Sequence, residues 1–140
     1  MADKQSMVEE FHRKFDIAVQ TNPGDITEET KRLRARLIQE EFDELKESMA
    51  SGNLALVAKE LADLLYVVYG TAVSYGIDME PVFREVHRSN LSKVGGYKRD
   101  DGKWVKPATY SPACLESILD AQRVDLLPEE SSGSRSSREP

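Results

Sequence analysis

A chain of 140 residues is the size of one ordinary domain, and one core that buries roughly two-thirds of the unfolded surface is enough to hold it together. With 39% hydrophobic residues, 31% charged residues and a formal net charge of -6, the composition is globular; it argues against a general binder of nucleic acid or anionic membranes, and a small molecule is the expected partner. The single cysteine, Cys114, excludes an internal disulfide, and the opening residues lack the basic and apolar regions of a signal peptide, so the expected location is the cytoplasm.

Met7, Phe11, Phe15 and Ala18 recur at helical spacing, which predicts a first amphipathic helix from about Asp3 to Gln20, stopped by Asn22-Pro23-Gly24. A second helix is expected from Asp25, which with Glu28 gives a capping pattern, to about Met49. After the turn at Ser51-Gly52-Asn53 comes Leu54 to Tyr75, apolar on nearly every side, as expected of the central helix of a bundle, with Gly76 as its stop. Its longest uncharged run, Leu64 to Ile77, falls short of the ~20 apolar residues of a membrane span. Asp78 and Pro81 open a fourth helix, with Val82, Phe83, Val86 and Leu91 as its expected buried stripe.

Beyond Lys93 the segment Gly95 to Pro107 carries an Asp-Gly pair between short flanks, the pattern of a small hairpin. Ser111-Pro112 reads as the start of a short fifth helix running to about Gln122. The domain is expected to occupy residues 1–127. Residues 128–140, rich in Ser, Glu, Arg and Pro, are expected to be a disordered tail. The fold class is therefore all-α, a four- to five-helix bundle with a small hairpin or flap.

The chemistry lies in carboxylates placed where a core belongs. On a helical wheel, Leu33, Leu37, Ile38, Phe42, Leu45 and Met49 fill one broad arc; Glu41 falls near its middle, Glu44 between Leu33 and Leu37, and Glu40 at its margin. The third helix repeats the pattern with Glu60 and Asp63, one turn apart among apolar neighbours. A buried carboxylate is costly unless it is paired or holds a metal. Salt bridges to Arg34, Arg36 or Lys59 account for one or two of these acids but not for all four. Two acid pairs at i, i+3 on consecutive antiparallel helices can converge on one point, and four hard oxygen donors suit Mg²⁺ or Mn²⁺.

These residues, Glu41-Phe-Asp-Glu44 followed by Glu60-Leu-Ala-Asp63, resemble the metal signature of the MazG-like all-α nucleoside triphosphate pyrophosphohydrolases. The surrounding words, Leu37 to Leu45, Glu60 to Gly70, Glu85 to Lys93, Lys106-Pro107 and Tyr110-Ser-Pro112, are similar to the subgroup related to phosphoribosyl-ATP pyrophosphohydrolase and to bacterial dimeric dUTP-cleaving enzymes. The resemblance implies that Glu41, Glu44, Glu60 and Asp63 are metal ligands and that Glu40 positions or deprotonates the attacking water. It also implies that Asn90 and Lys93 meet substrate phosphates, and that two subunits form a homodimer. The reaction it implies is hydrolysis of a nucleoside triphosphate between the α and β phosphates, with dUTP the first expected substrate and phosphoribosyl-ATP the alternative.

A pyrophosphate leaving group needs cations, and the segment from Lys93 to Lys106 holds five basic residues against two acids in an acidic protein. Lys93 and Lys106 are the expected phosphate contacts within a flap that closes on the ligand, while Lys98, Arg99 and Lys103 read as solvated hairpin residues. Glu9-x-x-His12 is half of a di-iron motif without its second copy, so His12 is expected to pack or hydrogen-bond near the base pocket. His87 reads as a structural or surface residue, Trp104 as packing, and Tyr66 and Tyr69 as core. A non-catalytic nucleotide or metal-binding module is the alternative outside enzymology; Glu40 counts against it, since a pure binding site needs no additional acid.

Overall fold

The computed structural model describes residues 3–108 and 110–123; the predicted tail at 128–140 lies outside them. Five helices and one hairpin follow in chain order: α1 (Asp3–Lys14), α2 (Glu28–Ser51), α3 (Leu54–Tyr75), α4 (Met79–Leu91), β1 (Tyr97–Lys98), β2 (Trp104–Val105) and α5 (Glu116–Gln122). The two strands pair antiparallel, with Tyr97 opposite Val105 and Lys98 opposite Trp104. The architecture is the all-α one expected from the sequence. No helix among the described residues is long and apolar enough to cross a membrane.

The first helix ends at Lys14, not near Gln20, because the following residues are held by α3. Asp16 takes a positive φ of 59°, and the Ala18 carbonyl accepts from His12 Nδ1 and Ser74 Oγ, both at 3.0 Å. Gln20 N donates to Val73 O at 3.2 Å and Gly24 N to Tyr75 O at 3.1 Å. These tertiary bonds take the partners that two more helical turns would have used. They also explain Gly76, which caps α3 in the left-handed conformation (φ 75°) and leaves no room for a side chain, since a Cβ there would lie 2.3 Å from the Asn22 carbonyl oxygen.

The cap of α2 is Thr27, whose hydroxyl accepts from Thr30 N at 3.1 Å, two residues beyond the expected Asp25. Asp25 and Glu28 instead both hold Lys31, each at 3.1 Å. Asn53 caps α3 through Ala55 N and Leu56 N, and Asp78 caps α4 through Glu80 N as expected. The fifth helix begins at Glu116, later than Ser111-Pro112 predicts, because that stretch is fastened to α4. Ser111 N donates to Ser92 Oγ, Pro112 O accepts from Arg88, and Cys114 N donates to the Glu85 carboxylate.

Two glutamines grip the joint between α3 and α4. Gln5 donates to Ile77 O at 2.6 Å and accepts from Met79 N at 3.0 Å, while Gln122 accepts from Asp78 N and donates to Asp78 O. Each primary amide stands in for a backbone unit.

Packing within one chain centres on α3, which lies chiefly against α2 and then α1. Val8, Leu45, Ala72 and Val73 are buried there. So are Arg34 and His12, side by side over Gly70, where a Cβ would meet Arg34 Nη2 at 2.3 Å and His12 Nε2 at 2.9 Å. Arg34 donates to Val67 O and Thr71 Oγ1. The remainder of α3 is not enclosed: Leu54, Leu56, Leu61, Leu65, Tyr66 and Val68 are exposed. The expected buried stripe of α4 is likewise open, with Phe83 69% exposed and Val86 and Leu91 also at the surface; Ser89 is its one fully buried residue among those described. The helical period was legible, but the described residues of one chain do not cover that side.

Candidate metal centre

Helices α2 and α3 run side by side and bring the predicted acids together. Ligand oxygens of Glu41, Glu60 and Asp63 lie within 4.8 Å of one another. Glu60, only 8% exposed, and half-buried Glu41 each keep one oxygen, Oε1, closed off from solvent with no hydrogen-bond partner. Burial pushes the Glu41 carboxyl above its usual range, helped by the charges of Glu44, Asp63 and Glu60. The exposed Glu44 is pushed the same way, first by the charge of Glu60 beside it and then by desolvation. It adjoins the group without joining the tight set of three.

Glu40 stands at the margin, as its place on the wheel predicts. Its side chain is 55% exposed and 4.0 Å from Arg36 Nε. Of the cations considered as partners for the acids, Arg34 is used elsewhere and Arg36 reaches, among the described residues, Glu40 alone. Lys59 does reach the group: its Nζ lies 2.6 Å from Asp63 Oδ2 and 3.6 Å from Glu60 Oε2. The salt bridge to Lys59 that the sequence offered for one or two of the acids is thus present, from a lysine directly before Glu60 and one turn from Asp63.

Asn90 and Lys93 line a shallow cavity of about 320 Å³ with Leu91, Val94 and Trp104. Trp104 Nε1 donates to Lys93 O at 2.9 Å, so the indole moors the hairpin to the end of α4. Lys93 Nζ lies 5.8 Å and Lys106 Nζ 4.8 Å from the centre of the Tyr110 ring, so the two predicted phosphate lysines share one aromatic surface. Arg99 is engaged by Asp101 within the hairpin at 2.5 Å, in keeping with its reading as a hairpin residue.

The words around Glu85 also acquire a use. Arg88 holds the Glu85 carboxylate at 2.8 Å and reaches Ser111 Oγ and Pro112 O, while Ser89 Oγ donates to the Tyr110 hydroxyl oxygen. Arg88 and the amide of Cys114 together pull the Glu85 carboxyl down to about 2. These residues fasten the segment after the hairpin to α4. His12 is buried with Nδ1 on Ala18 O, and burial holds it below the usual imidazole value. It sits beside Gly70, two helical turns and about 10 Å along the axis from Asp63.

The sequence profile described as phosphoribosyl-ATP pyrophosphohydrolase matches residues 8–90, more than half of the chain and inclusive of Glu41, Glu44, Glu60 and Asp63. The chain belongs to the phosphoribosyl-ATP pyrophosphohydrolase family. This family lies within the MazG-like superfamily, and its helical build accords with the fold described above. An uncharacterised protein of Acanthamoeba polyphaga mimivirus is 34% identical over 83 residues, which cover 56% of this chain and 33% of that protein. The aligned part of this chain thus spans a third of that relative. Membership points to an enzyme family of the nucleotide pyrophosphohydrolase type, whose members usually use divalent metals, and the acidic group on α2 and α3 is of a kind that can hold one.

Proposed function

We propose that the protein is a divalent-metal-dependent hydrolase, acting in the cytoplasm, that cleaves a nucleoside triphosphate between the α and β phosphates. The observation that carries this reading is that Glu41 and Glu60 each keep a buried, partnerless oxygen while belonging, with Asp63, to a group whose ligand oxygens lie within 4.8 Å of one another. Carboxylates left in that condition are costly, and a divalent ion relieves the cost. The donor set is all oxygen, which favours Mg²⁺, with Mn²⁺ as a working substitute.

Glu41, Glu60 and Asp63, with Glu44 at the edge, would hold the metal. When bound, it supplies Lewis-acid stabilisation of phosphate charge and a more acidic water. The chain's own residues do the rest. Glu40, solvent-exposed beside the acids, accepts the proton of the attacking water. Asn90, Lys93 and Lys106 bind phosphate oxygens, the two ammonium groups being free of carboxylate partners among the described residues. The hairpin brings Lys106 to the ring that Lys93 approaches from α4 and so gathers the positive charge that a leaving pyrophosphate needs.

By the resemblance of its motifs, dUTP or a related deoxynucleotide is the first substrate to test. Phosphoribosyl-ATP is the second reading, favoured by the family profile that the chain matches, and cleavage of the same bond requires the same machinery. The deciding experiment measures pyrophosphate release from a panel of nucleoside triphosphates and phosphoribosyl-ATP, with Mg²⁺ or Mn²⁺, for the natural protein and Asp63→Asn. Metal-dependent pyrophosphate release, lost in the variant, is expected. Release of orthophosphate, or no cleavage of any substrate, sinks the proposal and leaves a nucleotide- or metal-binding module.

A further inference from the structure

Lys59 stands where a cation is needed but satisfies the acids only in part. Its ammonium reaches Asp63 Oδ2 at 2.6 Å and Glu60 Oε2 at 3.6 Å, while Glu60 Oε1 and Glu41 Oε1 are left buried without a hydrogen-bond partner. The lysine side chain is 63% exposed, against 10% for that of Glu60. It therefore approaches from the solvent side and can leave by rotating about its own flexible stem.

With its ammonium 2.6 Å from Asp63 Oδ2, Lys59 would stand only ~4 Å from a divalent ion held ~2.1 Å from the same oxygen, so the two cations repel each other and each weakens the other's hold on it. An exposed ion pair is also weak enough for a divalent ion to displace. We propose that Lys59 is an internal competitor of the metal. It screens the acid group while the metal is absent, is displaced when the metal binds, and thereby lowers the metal affinity of the site. This inference rests on the reading of the acids as a metal site, and concerns the regulation of that site. Since the residue is part of this chain, the screening is present at any protein concentration.

The test is calorimetric titration of Mn²⁺ and Mg²⁺ into the full chain without nucleotide, for the natural protein, Lys59→Met, Lys59→Arg and Lys14→Met. Methionine keeps the length and removes the charge; Lys14, exposed at the end of α1, controls for the change in net charge. Lys59→Met is expected to bind Mn²⁺ about three- to tenfold more tightly, with Lys59→Arg and Lys14→Met close to the natural protein. Thermal unfolding provides the second readout: Lys59→Met should melt lower than the natural protein without metal and gain more from saturating Mn²⁺. Unchanged or weaker Mn²⁺ binding by a folded Lys59→Met protein overturns the competitor role while leaving the metal site intact. If the natural protein and Lys59→Met both bind no metal, it is the reading of the acids as a metal site that fails.

Discussion

At the scale of single residues, the acids on α2 and α3 divide by environment into two kinds. Glu41 and Glu60 are drawn into the helix interface, whereas Glu40 faces water beside Arg36. A group that exchanges protons with solvent is better placed in the second setting than in the first. Glu40→Gln is therefore expected to keep metal and nucleotide binding while turnover falls by about 10²- to 10⁴-fold; normal turnover would remove Glu40 as the base. The raised Glu41 and Glu44 carboxyls carry a sign that can be checked. Their folded form holds the proton more firmly than the unfolded chain, so they stabilise the fold below the ordinary glutamate range. That stability is lost as pH rises through their raised values. Without metal, the melting temperature should carry a falling contribution across that window, which saturating Mg²⁺ removes and Asp63→Asn weakens. Glu85 acts oppositely: its clasp is present above the ordinary glutamate range and is lost as pH falls toward about 2.

At the scale of elements, the helices were legible where the cause was local and obscure where it was distant. The acid group could be found because Glu41, Glu60 and Asp63 break apolar faces whose period is fixed by the helix itself. The stops at Gly52 and Gly76 were equally readable. The end of α1 was not, since it depends on the Ala18 carbonyl meeting Ser74, 56 residues away. Nor was the late start of α5, which depends on Glu85 accepting from Cys114, 29 residues on. Such bonds leave no periodic trace in a sequence. The crossing of the 18–24 segment over α3 makes Gly76 the most exposed of these elements to mutation. Gly76→Ala must strain a left-handed residue and push aside the Asn22 carbonyl, and a loss on the order of 2 kcal/mol is expected by thermal or denaturant unfolding. A neutral result would show that segment 18–24 is free to move off the end of α3.

At the scale of the whole molecule, the described residues of one chain leave apolar side chains uncovered. Among the described residues, Leu61 and Leu65 of α3 and Phe83 and Leu91 of α4 are exposed, large apolar side chains of the kind that a partner surface covers. The homodimer implied by the family resemblance would cover them. Sedimentation at micromolar concentration is expected to give twice the chain mass for the natural protein and a shift toward one chain for Phe83→Asp or Leu65→Asp. A natural protein that sediments as a single chain would rule the dimer out. The misreading of the α4 stripe belongs here too: Val82, Phe83, Val86 and Leu91 were identified correctly as apolar at helical spacing, but periodicity reports that a face is to be covered and not by which molecule.

The grip on the joint between α3 and α4 has a practical side. Gln5 and Gln122 are 117 positions apart, yet both close on the three residues Ile77 to Met79. Shortening the protein past either glutamine, or crowding one with a bulky purification tag, would loosen the same hinge and let α4 swing, carrying Asn90 and Lys93 with it. Expression designs that spare both glutamines are therefore the safer starting material for any assay of phosphate binding.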